Sequence, residues 1–84
     1  MAGLVFLGRL GDLAGAAEIA MPMARTTALA VVMDRLPPAL IAGLRSPKVR
    51  VAVNGELVPA EQPLDALMIA DADEIAFLPP VSGG

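Results

Sequence analysis

Leu4-Val5-Phe6-Leu7 is an unbroken apolar run that stops at Gly8. A run this short with no polar alternation predicts a strand with little water on either face. Gly11-Asp12 and Gly15 predict a loop after it. Ala17 to Met21 predicts a second strand, with Ala17, Ile19 and Met21 on one face, and Pro22 makes it an edge strand or ends it. Leu29, Val32, Met33 and Leu36 fall at i, i+3, i+4 and i+7 and predict the main helix and its buried stripe. Thr26 or Thr27 is the expected cap, and Pro37-Pro38 the stop. A second short helix is predicted from Pro38 through Leu40, Ile41 and Leu44. From Lys48 to Val53 the positions alternate, with Val49, Val51 and Val53 on one side. Asn54-Gly55 then predicts a tight hairpin into Glu56-Leu57-Val58, because a type I′ turn needs positive φ at both central residues. A loop covers Pro59 to Ala66. After the acidic stretch Asp71-Ala72-Asp73, Glu74 to Leu78 forms a second nearly continuous apolar strand.

The order is strand, strand, helix, short helix, strand, strand, strand and a tail. The two most apolar strands, first and last, are expected side by side and parallel in the sheet centre. A mixed sheet of four or five strands with a main helix across one face is an α+β, β-grasp (ubiquitin-like) arrangement. The expected division is a folded domain at 1–78 and an extended tail at 79–84.

Composition sharpens this picture. Of the 84 residues 56% are hydrophobic, and the mean hydropathy is +0.68. A chain this short buries only roughly 60–65% of its unfolded surface. Exposed apolar surface is therefore expected, and such patches usually belong to a partner. There is no Cys and no His, which removes thiol nucleophiles, imidazole bases and most zinc sites. The formal net charge is −3, and Phe6 and Phe77 are the only aromatics. Nucleic-acid binding needs a basic stripe or stacking rings and is not expected. No charge-free run approaches the length of about 20 residues that a membrane span needs. The first positive charge, Arg9, follows the apolar start instead of preceding it as in a leader, so a cytoplasmic location is expected.

The tail carries the candidate chemistry. Pro79 and Pro80 fix φ and favour a stiff, extended course. Six extended residues reach at most about 20 Å. Gly83 and Gly84 lack a β-carbon, so the end is as thin as a peptide becomes and suits a narrow channel in another protein. A terminal carboxylate is ionised at pH 7 and a poor electrophile. Adenylation converts one oxygen into a leaving group, after which the acyl group passes to sulfur or nitrogen. A Gly-Gly end alone is also what tags and frayed termini look like; its place after a last strand and a rigid Pro-Pro spacer distinguishes it.

The segment Asp73-Glu74-Ile75-Ala76-Phe77-Leu78-Pro79-Pro80-Val81-Ser82-Gly83-Gly84 resembles the C-terminal signature of the small subunit of molybdopterin synthase. Val51-Ala52-Val53-Asn54-Gly55 and the first strand up to Gly15 fit the same family. The thiamine sulfur carriers share the fold and the Gly-Gly end but usually lack Phe-Leu-Pro-Pro-Val. The resemblance implies a sulfur carrier that is a co-substrate more than a catalyst, the sulfur-donating subunit of a heterotetrameric complex. An ATP-dependent, E1-like enzyme would adenylate Gly84, and a sulfur donor enzyme would make the thiocarboxylate. The tail would then enter the large subunit and give sulfur to a cyclic pyranopterin monophosphate. On this reading the chain binds no cofactor stably, ATP being used by the activating enzyme. Gly83 fits the channel, and Pro79, Pro80, Val81 and Ser82 contact the partner. Two positions depart from the family pattern: Gly11 stands where arginine is frequent, with Arg9 nearby, and Ala72 replaces the glycine of an Asp-Gly-Asp turn. If that turn needs positive φ, Ala72 is strained by about 1 kcal/mol, or the turn differs.

Strand parity puts Ile75, Phe77, Leu4 and Phe6 against the helix and Val5, Leu7, Ala76 and Leu78 on the other face. The expected partner patch includes Leu7, Leu57 and Leu78; the alternative is a covering loop or reversed parity. Asp71, Asp73 and Glu74 read as a solvated turn, not a metal site, because nothing is spaced to complete a calcium loop. The five Met residues read as packing filler. Two other functions remain open: a sulfur carrier for thiamine or amino-acid synthesis, and a non-covalent interaction module with an inert Gly-Gly end.

Overall fold

The computed structural model describes residues 1–80. Seven strands and three helices follow in the order β1 (Ala2–Phe6), α1 (Arg9–Ala14), β2 (Glu18–Met21), β3 (Thr27–Ala28), α2 (Leu29–Met33), α3 (Pro38–Leu44), β4 (Arg50–Val53), β5 (Glu56–Leu57), β6 (Met68–Ile69) and β7 (Glu74–Leu78). The main sheet has the order β2-β1-β7-β4-β5. β1 and β7 are parallel neighbours, with Leu4 beside Ile75 and Phe6 beside Phe77. β4 lies antiparallel on the other side of β7, and β2 forms an edge, as Pro22 requires. This is the β-grasp arrangement expected from the strand order.

One face of the sheet packs on the helices. Leu4, Phe6, Ile75 and Phe77 meet Leu29, Val32, Met33, Leu36, Leu40 and Leu44 in a single core. The Phe6 and Phe77 rings stack with centroids 5.5 Å apart, which ties the two central strands together. Asn54 (φ 51°) and Gly55 (φ 85°) adopt the positive φ values of the hairpin turn. Pro38 opens α3 at its first turn, where a missing N–H costs nothing.

Several local expectations are corrected. The segment around Gly11 and Asp12 is not a loop but α1, closed when the Gly15 amide donates to the Gly11 carbonyl. Neither Thr26 nor Thr27 caps the main helix. Ala28 holds that position without a side-chain bond, and Thr27 belongs to β3, its hydroxyl donating to the Arg25 carbonyl. Helix α2 stops at Met33. Arg35 and Leu36 continue in tighter turns, their amides donating to the Val32 and Met33 carbonyls, which still delivers Leu36 to the core. The fourth strand starts at Arg50, not Lys48, and the last residue of the hairpin, Val58, donates to Val51 outside regular pairing. The pair β3–β6 had no counterpart in the sequence reading. At Ala72 the second of the two expected outcomes holds, a different turn without strain: among the described residues Asn54 alone of the non-glycines has positive φ.

Candidate functional site

The last strand delivers the chain to the tail, and its neighbours fix where the tail leaves. The Leu7 amide donates to the Phe77 carbonyl at 3.1 Å, continuing the β1–β7 ladder to its end. Gly8 follows with φ 55° and ψ −132°, a conformation that only glycine adopts without strain. A β-carbon on Gly8 would lie 3.1 Å from Cγ of Pro79. The bare backbone at Gly8 thus leaves the space that the first tail residue fills. Pro79 is half-buried there and Pro80 is exposed. Val81, Ser82, Gly83 and Gly84 lie outside the described residues.

The sheet face away from the helices is apolar near this exit. Register places Val5, Ala76, Ala52 and Leu57 in one row across four strands. Leu78 pairs with Arg50 in the next row, with Leu7 on its other side. Leu7 is 42% and Leu57 54% exposed, and Leu78 is half-buried. The structure therefore brings Leu7 and Leu78 together. It joins Leu57 to them through the small side chains of Ala52 and Ala76, which leave the face flat. The continuous apolar runs of β1 and β7 do not reflect cover on both faces. The helices cover one, and the other is open.

The acidic turn before β7 is structural. The Asp73 carboxylate accepts from the Ala70 amide at 2.8 Å and from the Asn54 side-chain amide at 2.9 Å. The Asn54 side-chain oxygen accepts from the Glu74 amide at 2.9 Å. This network locks the β4–β5 hairpin to the start of β7. The Ala70 amide, and next the Asn54 side chain, hold the Asp73 carboxyl below the usual carboxylate range, against a slight opposing effect of burial. A depressed folded-state pKa adds stability above the unfolded pKa of about 3.9 and loses it as pH falls through the folded value. Asp73→Ala is therefore expected to lower the melting temperature by a few degrees at pH 7. The gap should close in strong acid; thermal melts as a function of pH check this, and a gap independent of pH would contradict it.

Gly11 lies inside α1, where a β-carbon would sit 3.1 Å from the Phe6 carbonyl oxygen, tight for any side chain. Arg9 is exposed on the first turn of the same helix. Sequence reasoning missed α1 itself, although Leu10, Leu13 and Ala14 stand at i, i+3 and i+4. Among the described residues no helix is long and apolar enough to cross a membrane.

Over residues 4–84 the sequence matches the model of the ThiS family. No curated protein gives a significant sequence match. The fold is similar to the crystal structure of SAMP1 from Haloferax volcanii, with a TM-score of 0.74, 23% identity, and cover of 99% of this chain and 98% of that one. It is also similar to the solution structure of small archaeal modifier protein 1 from Methanosarcina acetivorans (TM-score 0.67, 24% identity, 99% and 95% cover). A Pyrococcus furiosus protein assigned as molybdopterin converting factor, subunit 1, gives a TM-score of 0.70 at 18% identity, with 95% and 97% cover.

Proposed function

Since this chain belongs to the ThiS family of ubiquitin-like sulfur carriers, we propose that it serves molybdenum-cofactor synthesis as the sulfur-donating small subunit of a molybdopterin synthase. The Gly84 carboxylate attacks the α-phosphorus of ATP on an E1-like enzyme and releases pyrophosphate. A sulfur donor enzyme then supplies sulfur at the sulfide level, which attacks the acyl carbon and displaces AMP, leaving a thiocarboxylate. Inside the large subunit that sulfur passes to a cyclic pyranopterin monophosphate, and water takes its place on the acyl carbon, returning Gly84 to a carboxylate. On this reading the chain binds no cofactor stably, and ATP is used by the activating enzyme.

The observation that carries this reading is the junction Phe77-Leu78-Pro79-Pro80. A central strand runs straight into a stiff spacer beside an open apolar face, so docking of that face and threading of the tail are mechanically linked. The Pyrococcus furiosus protein of similar fold supports the same role. A second reading, a carrier for thiamine or another sulfur pathway, draws support from the breadth of the ThiS model. Co-purification separates them: a molybdopterin synthase large subunit supports the first, and a thiazole synthase the second. Intact mass of the chain after incubation with ATP, the activating enzyme and a sulfur donor tests both. Exchange of one oxygen for sulfur is the expected result, and an unchanged mass would make the Gly-Gly end inert.

Leu78→Asp is expected to weaken large-subunit binding about tenfold or more, because a carboxylate would be desolvated at the centre of the contact. The melting temperature should fall by only a few degrees, since Leu78 is half-buried outside the core. Calorimetric binding and melting curves check the pair; a large stability loss with intact binding would overturn the role given to this face.

A further inference from the structure

The cations are unevenly placed along the sheet. Arg9 directly follows Gly8, against which Pro79 packs. Arg50 pairs with Leu78, the last residue of β7. Lys48 lies two residues before Arg50 and is exposed, and Arg45 lines a cavity of about 180 Å³ together with Arg50. Four of the six cations thus stand where the tail leaves. Asp12, in α1, is a carboxylate at the same end. Asp71, Asp73 and Glu74 stand at the opposite end, before or at the start of β7. A chain of net charge −3 therefore presents its tail from a locally positive rim.

The cavity makes this more specific. It opens between the α3–β4 turn and the segment after β5, and its apolar walls include Leu44, Val49, Val58 and Leu64. No carboxylate lines it, and Glu61 in the same loop is exposed. The Arg50 guanidinium is anchored by donating to the Val58 carbonyl at 3.0 Å, which leaves its other N–H groups free to donate elsewhere. A slot of mixed lining with one anchored guanidinium, Arg50, and a second, exposed one, Arg45, fits an aliphatic stem ending in a carboxylate. It is too small for a nucleotide and has no ring on which a base could stack.

We propose that the tail-exit end of the sheet is a cationic docking collar for an acidic surface of the adenylating enzyme, and that the Arg45–Arg50 cavity receives a carboxylate side chain from that surface. The proposal rests on the reading above for the existence of that enzyme, which either sulfur pathway requires. It identifies the chemistry of the enzyme's rim, not of its catalytic centre. A positive rim would steer encounter while the apolar face supplies contact area.

Binding of the full chain to the adenylating enzyme, measured by calorimetry at about 50 and about 250 mM NaCl, tests this by changing how strongly exposed charges are screened. Arg45→Glu with Arg50→Glu is expected to weaken binding about tenfold or more and to flatten its salt dependence. Arg45→Glu with Lys48→Glu, both at exposed positions, gives the same direction and covers the case in which the first variant folds poorly. Asp71→Lys at the far end should change affinity less than about twofold. Reversals that leave affinity unchanged, or that weaken it no more than Asp71→Lys does, would overturn the proposal, as would a wild-type chain that does not bind. An enzyme that binds the chain but forms no acyl adenylate would overturn the proposed function alone, with the docking collar still decided by the variants.

Discussion

Deleting Gly84 is expected to reduce formation of the thiocarboxylate below detection while leaving thermal unfolding within about 2 °C of the intact chain. Both halves follow from where the covalent and non-covalent work is divided. Among the described residues the regular structure ends at Leu78, and every residue of the core lies at or before Phe77. On the proposed reading the last glycine belongs to the tail and not to this core. The proposed chemistry, by contrast, depends on a carboxylate presented at one reach from the Pro79–Gly8 contact. A chain one residue shorter stops about 3.5 Å short of the same point. It also places Gly83 as the acyl residue and Ser82, with its β-carbon, where the thin end has to pass. Pyrophosphate exchange catalysed by the activating enzyme and the intact mass of the product measure the loss. Full loading of the shortened chain would remove Gly84 from the role proposed for it.

The strands that position the tail were the most legible part of the sequence. β1 and β7 announce themselves because four or five apolar residues in succession do not suit a turn or an exposed helix, and Asn54-Gly55 fixes the hairpin by its backbone demands alone. The open apolar face was legible through strand parity. Val5, Leu7, Ala76 and Leu78 stay apolar although the helices cover only the opposite face. Soluble strands covered on one side usually alternate with polar residues; the missing alternation reads in the sequence as cover on both faces, whereas the structure leaves one face open.

What the sequence hid was set by tertiary contact. Helix α1 is six residues long and carries Gly11, so intrinsic propensity argues against it. It exists because Leu10 enters the core and Leu13 leans on Gly43 of α3, so closely that a β-carbon at Gly43 would overlap the Leu13 side chain. β3 and β6 are two residues each, shorter than any periodicity can register. Their pairing becomes visible only once the segment after β5 folds back, with Leu67 and Leu64 accepting from the Leu29 and Ala30 amides. Those bonds also explain the uncapped start of α2: its first donors are satisfied by carbonyls of a distant loop, so a threonine cap is unnecessary. The cationic rim was equally hidden. Arg9, Arg45, Lys48 and Arg50 are scattered in sequence and come to one end only through the parallel pairing of β1 with β7 and the antiparallel pairing of β4.

Phe77→Ala is expected to destabilise the domain by about 3–5 kcal/mol. Phe77 has no exposed surface, lies on the central strand, and stacks on Phe6 at 5.5 Å. Its truncation leaves a cavity bounded by two strands whose backbones are fixed by pairing on both sides, so the walls cannot close in. The loss of the ring pair adds to the loss of buried area. A single small domain commonly has about 5–15 kcal/mol of total stability, so this one change removes a large fraction of it and should unfold a substantial part of the population at moderate temperature. Denaturant titration followed by far-ultraviolet circular dichroism gives the number. Phe6→Ala should cost a similar amount, and the double variant less than the sum of the two, because each single change already breaks the same stack. Additive costs would mean that the two rings are stabilised independently. Beyond stability, the same substitution bears on function. The Phe77 carbonyl holds the Leu7 amide, and Leu7 leads into Gly8, on which Pro79 rests. Even in the fraction that remains folded, sulfur loading is expected to fall, because slack at Phe77 is transmitted through one hydrogen bond to the base of the tail.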